Sequence, residues 1–186
     1  MLITLCCIGF LTGMHAQNES YNLNSDLSTL IWQGSAALGS YNPQGTLQVS
    51  AGNITICSEK VYTMDITIAM KTLSQENTDL QEHLKNKDFF HVKTFPESTF
   101  VLSDAVPVKN GTVVLQGKMT IKGETLPENI PAKVVISEET VTLTFEHEID
   151  RTRYGINYNS PSIFKRLKEN AIADTFSIQG TLVFKK

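Results

Sequence analysis

Histidine and cysteine side chains are common metal ligands and nucleophiles, but this sequence places them where neither chemistry is indicated. Beyond the first sixteen residues the histidines are His83, His91 and His147, with no His-x-His pair and no cysteine at ligand spacing. A metal site would have to be assembled by the fold, and we predict neither a metal nor a cofactor. Cys57 has no activating residue beside it in the sequence. The G-x-S-x-G elbow, the Walker loop and a carboxylate pair with an obvious base are also missing, so we expect a protein that is not an enzyme.

Two arginines, Arg151 and Arg153, are the side chains best suited to hold an anion. They follow an alternating run in which Phe145 and Ile149 share one face. If that strand keeps its register, both guanidinium groups continue the inward row. They could then hold a pyrophosphate, a carboxylate or another polar head group. The alternative is a strand that ends near Asp150, with both arginines on the surface.

Apolar side chains form the second set that could bind a ligand. Large, adaptable methionine and aromatic groups occupy inward positions of the predicted strands, and such groups suit an irregular apolar cavity. The candidate lining residues are Trp32, Met64, Ile66, Phe89, Phe90, Phe100, Met119, Phe145 and Phe176. A lipid tail needs little more than a dry tunnel of this kind. A plainly packed core would show the same periodicity, so both interpretations stay open.

One segment, residues 77–100, interrupts the strand pattern. Leu80 and Leu84 are four residues apart among charged and polar neighbours, which predicts about two turns of amphipathic helix. Phe89 and Phe90 follow, and Pro96 requires an extended backbone before the next strand. We interpret this segment as a lid over the open end of a sheet structure, and we include the two leucines among the ligand-binding candidates.

Short alternating runs separated by turn residues make up the rest of the chain. Residues 29–34 predict a strand, residues 45–57 a strand pair broken near Ala51–Asn53, and residues 61–70 a half-buried strand. On the last of these, Tyr62, Met64, Ile66, Ile68 and Met70 are predicted to share the inward face.

Further inward rows follow the lid segment. They are Phe100, Leu102 and Val106; Val113, Leu115, Gly117, Met119 and Ile121; Ile130, Ala132, Val134 and Ile136; Val141, Leu143, Phe145, His147 and Ile149; and Phe176, Ile178, Leu182 and Phe184. A second short helix is predicted at residues 162–169. Roughly eight strands with polar turns favour an antiparallel barrel or sandwich.

Length and composition are those of an ordinary globular domain. The chain has 186 residues, 41% of them hydrophobic and 19% charged, with a formal net charge of -3. Without a basic excess, nucleic acid is not expected as a partner. No apolar run after residue 16 approaches the ~18 residues of a membrane span.

The apolar segment 1–16 resembles the core of a signal peptide that ends at Ala16, although no lysine or arginine precedes Leu5. A buried N-terminal strand or helix is the alternative. The prediction is therefore a leader at residues 1–16, one domain at 17–186, and a periplasmic or secreted protein.

Three stretches together resemble the YceI-like family of lipocalin-like, polyisoprenoid-binding proteins. Residues 83–100 match its HL-x3-DFF-x5-P-x3-F pattern, residues 117–125 its G-x-LTI-x-G-x-T turn, and residues 151–155 its R-x-x-[YF]-G segment. Met119 departs from the usual leucine. The similarity extends over residues 20 to 186, and residues 158–174 resemble secreted members from Bacteroidota.

This resemblance implies an all-β fold, an eight-stranded antiparallel lipocalin-like barrel with one or two short helices. It further implies an isoprenoid-type lipid, such as a polyprenyl compound or a quinone, held along the barrel axis. The expected function is that of an exported carrier or buffer. The alternative is a structural or interaction protein of the cell envelope with a packed barrel, and homodimer formation is left open.

Overall fold

The computed structural model describes residues 18–164 and 170–186, in which ten strand segments form one continuous sheet. In chain order the strands are β1 (Glu19–Leu23), β2 (Thr29–Gln33), β3 (Gln44–Cys57), β4 (Lys60–Ala69), β5 (Glu97–Leu102), β6 (Val106–Pro107), β7 (Thr112–Ile121), β8 (Glu124–Ile136), β9 (Thr140–Asp150) and β10 (Thr175–Lys185). The leader predicted at residues 1–16 lies outside the described residues.

The sheet closes on itself as an antiparallel barrel. Its ring runs β2, β10, β9, β8, β7, β5, β4, β3 and back to β2. The short strand β1 pairs with β3 and β10, the same two neighbours as β2, and therefore continues the position of β2 along the barrel. In the same way β6 pairs with β4 beyond the end of β5. The predicted eight-stranded barrel is confirmed.

Strand β7 shows why the alternating rows were informative. Val113, Leu115, Gly117, Met119 and Ile121 are all buried, whereas the residues that alternate with them are exposed or half-buried. Successive side chains of a strand point to opposite faces, so one apolar row faces the barrel interior. Gly117 leaves room for the neighbouring strand β5, because a Cβ there would lie 2.6 Å from the backbone oxygen of Val101.

Residues 45–57 form a single strand, so the predicted break at Ala51–Asn53 is wrong. The alternation is disturbed because Ser50 has no partner in the register between β3 and β4, which makes a β-bulge. Gly52 does not form a turn. A Cβ at Gly52 would lie 2.7 Å from the Asp65 backbone oxygen, so the glycine allows the two strands to approach closely.

Two members of the predicted inward rows are exposed instead. Tyr62 is 51% exposed because a second irregularity in the β3–β4 register turns Val61 inward in its place. Ile136 is exposed at the last position of β8, where the strand leaves the core. A bulge shifts alternation by one residue, and a period-two pattern read without pairing partners cannot anticipate it.

The helix α1 (Thr78–Lys85) confirms the predicted amphipathic helix. Asn77 caps its start, since the Asn77 side chain accepts a hydrogen bond from the Leu80 backbone N–H at 3.1 Å. Leu84 is buried and Leu80 half-buried on the face toward the barrel.

In the described ranges, 3₁₀ helices lie at Met70–Thr72 and Arg151–Tyr154. Most of the helix predicted at residues 162–169 lies outside the described residues. Within the described part of the chain, no helix is long and apolar enough to span a membrane.

The two ends of the barrel differ in packing. At the end where β3 turns into β4 and β8 into β9, which we call the closed end, the interior is filled by fully buried side chains, among them Tyr21, Ile54, Val61, Val141 and Phe184. The opposite end, which we call the lid end, carries α1 and leaves a hollow between the helix and the strands.

Candidate functional site

An apolar cavity of about 250 Å³ lies inside the barrel at the lid end. Strands β2, β3, β4, β5, β7, β9 and β10 supply its walls, and α1 with the following aromatic pair covers it. Inward-facing Trp32, Met119, Ile149 and Ile178 are among the wall residues. A mostly apolar, concave space with few polar groups is the usual form of a site for a hydrophobic small molecule.

The lid is held in place by aromatic contacts with neighbouring segments. Phe89 is buried, and its ring centroid lies 5.1 Å from that of His83 and 5.3 Å from that of Tyr158. Phe90 meets Phe176 of β10 edge to face at 6.0 Å between centroids. Such pairs stabilise a structure by about 0.5–1.5 kcal/mol beyond the effect of burial. Phe90 therefore covers the cavity and also holds the lid against the wall.

The cavity opens to solvent beside the loop of residues 34–43. Tyr41 of that loop lines the cavity and is 59% exposed. Leu47, Leu80, Phe90 and Phe176 line it as well and are each only partly buried. The opening is therefore surrounded by apolar groups, which suits entry of an apolar chain.

Trp32 is positioned by one hydrogen bond and one glycine. Its indole Nε1–H donates to the backbone oxygen of Ser74 at 3.3 Å. Gly45 lies beneath the ring, because a Cβ at this position would lie 2.7 Å from the indole Nε1 and would collide with the same Ser74 oxygen. The indole can occupy this position only because residue 45 is glycine.

Arg151 lines the cavity but uses its guanidinium to hold the surrounding backbone. It is 4% exposed, and it donates from Nε to the Ala173 oxygen at 2.9 Å, from Nη1 to the Ile156 oxygen at 2.6 Å and from Nη2 to the Ile172 oxygen at 2.9 Å. Asp174 lies 3.9 Å from Nη2. Burial lowers the pKa of Arg151 against the opposing effect of Asp174.

Arg153 points away from the cavity, and the predicted continuation of the strand through both arginines is wrong. Strand β9 ends at Asp150, whose side chain accepts a hydrogen bond from the Thr152 backbone N–H and starts a 3₁₀ helix. The helical turn puts Arg151 inside and leaves the Arg153 side chain 46% exposed, 3.3 Å from Glu128. The alternative of two surface arginines fails as well, since Arg151 is buried.

Glu128 belongs to a polar cluster between β8 and β9 that the sequence did not reveal. These two strands pair only from Ala132 to Ile136 on β8. Beyond that stretch Glu128 accepts hydrogen bonds from the Tyr154 hydroxyl at 2.9 Å and Arg153, and lies 3.1 Å from His147 Nε2. Burial, followed by the Glu128 hydrogen bond, raises the pKa of Tyr154. The cluster joins two strands that have separated at this point.

Ser98 is the polar wall residue that stands out. It is 4% exposed, faces the interior from β5 and lines the cavity. Its hydroxyl has no hydrogen-bond partner among the described residues. Alternation backwards from Phe100 would have predicted its inward direction, but a serine in an apolar row gave no reason to select it.

The predicted ligand-binding residues divide between the cavity and other places. Those at the cavity are Trp32, Leu80, Leu84, Phe89, Phe90, Met119, Arg151 and Phe176. Three others, Met64, Ile66 and Phe100, are buried in the packed core without lining the cavity. Phe145 is half-buried beside a separate shallow groove, and Arg153 lies outside. A ligand-binding role stays a prediction for all of them.

Comparison with known proteins shows the family to which the chain is related. The family model of the YceI-like domain matches residues 21–184. A UPF0312 protein of Staphylococcus epidermidis is 33% identical over 100 residues, which is 50% of this chain and 56% of that protein. A UPF0312 protein of Pseudomonas putida strain W619 is 30% identical over 90 residues, 47% of either chain. The chain thus spans about half the length of the curated relatives it matches.

Two solved structures are similar in fold. BcnA of Burkholderia cenocepacia has a TM-score of 0.65 at 20% identity, covering 87% of this chain and 98% of BcnA. A domain from Saccharophagus degradans described as polyisoprenoid binding has a TM-score of 0.64 at 13% identity, covering 89% of this chain and 97% of that domain. At these identities the similarity concerns the fold alone.

Proposed function

The chain belongs to the YceI-like domain family, and from that premise we propose that it is a non-enzymatic, exported carrier or buffer of an isoprenoid-type lipid, such as a polyprenyl compound or a quinone. The observation that carries the proposal is the apolar, lidded cavity at one end of the barrel. The polyisoprenoid-binding description of the Saccharophagus degradans domain supports the same ligand class.

Burial of an apolar chain supplies the affinity in this proposal. Each methylene removed from water contributes ~0.8 kcal/mol, so a few isoprene units reach micromolar affinity or better. Trp32, Leu84, Phe89, Met119 and Phe176 would contact the chain, since they line the cavity. The lid would exclude water from the bound lipid.

The direct test is extraction of the purified protein with organic solvent, followed by mass spectrometry. A stoichiometric isoprenoid lipid is the expected result, and its mass identifies the tail. Repeated preparations that contain no lipid and take up none from added isoprenoids would contradict the proposal. That outcome would favour the envelope protein with a ligand-free barrel.

A matched pair of methionine substitutions tests whether the cavity is the binding site. Met119 lines the cavity, whereas Met64 is equally buried in the packed part of the barrel. We expect Met119→Trp to fill the cavity, prevent lipid binding and leave the lipid-free stability within about 1 kcal/mol. Met64→Trp overpacks the core and should cost about 1–3 kcal/mol. Urea unfolding of the lipid-free variants gives the comparison, and equal destabilisation by both would contradict a hollow at Met119.

A further inference from the structure

We infer that the Ser98 hydroxyl is a polar anchor inside the cavity, which hydrogen-bonds an uncharged oxygen of the bound lipid, a carbonyl or a hydroxyl. The inference rests on the proposed function and deepens it, because it states which head-group chemistry the cavity accepts. It also assigns a specificity-determining role to a residue in an otherwise apolar row.

The Ser98 hydroxyl is buried at the cavity and has no hydrogen-bond partner among the described residues. Ser98 belongs to the inward row of β5 that also contains Phe100 and Leu102. It stands opposite Ile68 of β4, which lines the cavity with it. Leu84 and Phe89 are among the other lining residues. None of these side chains can accept or donate a hydrogen bond.

Leaving such a hydroxyl unpaired is unfavourable. Burial of a hydroxyl without a hydrogen bond is costly because its lost hydrogen bonds to water are not replaced, and most buried polar side chains in native proteins have a partner. Ser98 has none among the described residues. A ligand oxygen placed beside Oγ would satisfy the group and would fix the position of the lipid along the barrel.

The remaining polar groups of the wall favour a neutral partner. Among the described residues, Arg151 is the one cationic side chain that lines the cavity. Its guanidinium already donates to the carbonyl oxygens of Ala173, Ile156 and Ile172 and has Asp174 nearby. Three of its five N–H donors are thus used by the backbone, so among the described residues no uncommitted cation offsets the loss of water of a pyrophosphate beside Ser98. A carbonyl or hydroxyl oxygen needs only the one hydrogen bond that a serine can donate.

Three probes with the same fifteen-carbon chain test the inference on the delipidated full chain: farnesol, its hydrocarbon analogue farnesene and farnesyl diphosphate. Affinities are measured for the wild type and for Ser98→Ala. We expect the substitution to weaken farnesol binding about two- to tenfold, the range of one neutral hydrogen bond. Farnesene binding should change by less than about twofold, because the hydrocarbon cannot use the hydroxyl. Wild-type protein should bind farnesyl diphosphate more weakly than farnesol.

Ser98→Cys provides a second variant, since a thiol has similar shape but hydrogen-bonds weakly. It should weaken farnesol binding in the same direction as Ser98→Ala. The inference is overturned if farnesol and farnesene respond equally to both substitutions, or if the diphosphate binds more tightly than farnesol. Those outcomes would not contradict the proposed function as a lipid carrier. If the wild type binds none of the three probes, the proposed function is overturned together with the inference.

Discussion

At the scale of single residues, Arg151 shows how a buried charge can be accommodated without close contact to a counter-ion. Three backbone oxygens from two separate segments receive its hydrogen bonds, and the nearest carboxylate oxygen is 3.9 Å away. The segments at Ile156 and at Ile172–Ala173 both border the cavity. Arg151 therefore fixes part of the cavity wall. In the sequence it was a candidate for ligand binding because it follows an alternating strand.

The two arginines should respond differently to the same substitution. Arg151→Gln removes the charge and leaves buried carbonyl oxygens unpaired, so we expect a loss of about 3 kcal/mol or more in the free energy of unfolding. Arg153→Gln affects a half-exposed ion pair with Glu128 and should cost no more than about 1 kcal/mol. Urea unfolding of both variants measures the difference. A similar small loss for both would mean that the Arg151 hydrogen bonds do not stabilise the fold.

The sequence could predict which side chains of a strand face the barrel interior, but not where along the barrel axis each of them lies. Met64 and Met119 occupy inward positions on β4 and β7, as alternation predicts. Only Met119 lies in the hollow part. The position along the barrel axis depends on which strands are neighbours and on the stagger between them. The pattern within a single strand gives no information on either. Ser98 was missed for a related reason, since its significance comes from what surrounds it.

At the scale of elements, the lid is the part of the site that could be predicted most completely. The change from period two to a four-residue spacing at Leu80 and Leu84 predicted α1, and the structure has it at Thr78–Lys85. Phe89 and Phe90, which follow the helix, make different contacts that the sequence did not distinguish. Phe89 is buried against His83 and Tyr158, whereas Phe90 contacts the opposite wall through Phe176.

Phe90→Ala should loosen the lid selectively. The substitution removes the aromatic contact with Phe176, so we expect faster dissociation of farnesol, by about two- to tenfold for a contact of 0.5–1.5 kcal/mol. Phe95→Ala is the matched control, because Phe95 makes a similar edge-to-face contact with His91 and does not line the cavity. Stopped-flow displacement measures both rates. Dissociation that is equally fast in the two variants would assign the effect to general destabilisation instead of to the lid.

At the scale of the whole molecule, about eight antiparallel strands could be predicted because the interior imposes the same period on every strand. The choice of a barrel over a sandwich came from the resemblance to the YceI-like family. What could not be predicted depends on pairs of strands. The bulge at Ser50 and the outward turn of Tyr62 follow from the register between β3 and β4. The separation of β8 from β9 around Glu128 follows from a pairing that stops at Ala132. Neither leaves a signature within one strand.

Export is the proposal that concerns the entire chain. We propose the apolar segment 1–16 as a leader, and on that proposal the mature protein should begin at or near Gln17. N-terminal sequencing of protein recovered from the periplasm or from the medium is the measurement. Protein that keeps residues 1–16 and fractionates with the cytoplasm would contradict the export proposal and leave the lipid-binding proposal to be judged separately.

The ring of strands also constrains the order of events during synthesis. Closure depends on β10, which pairs along its length with β9 and holds β2 through partners such as Leu30 and Gly180. Gly180 allows this approach, because a Cβ there would lie 2.7 Å from the Thr29 backbone oxygen. Strand β2 is among the first to leave the ribosome and β10 the last of the ten. Local hairpins such as β3–β4 and β7–β8 can form on the growing chain, but the barrel, and with it the cavity, cannot exist until β10 has emerged.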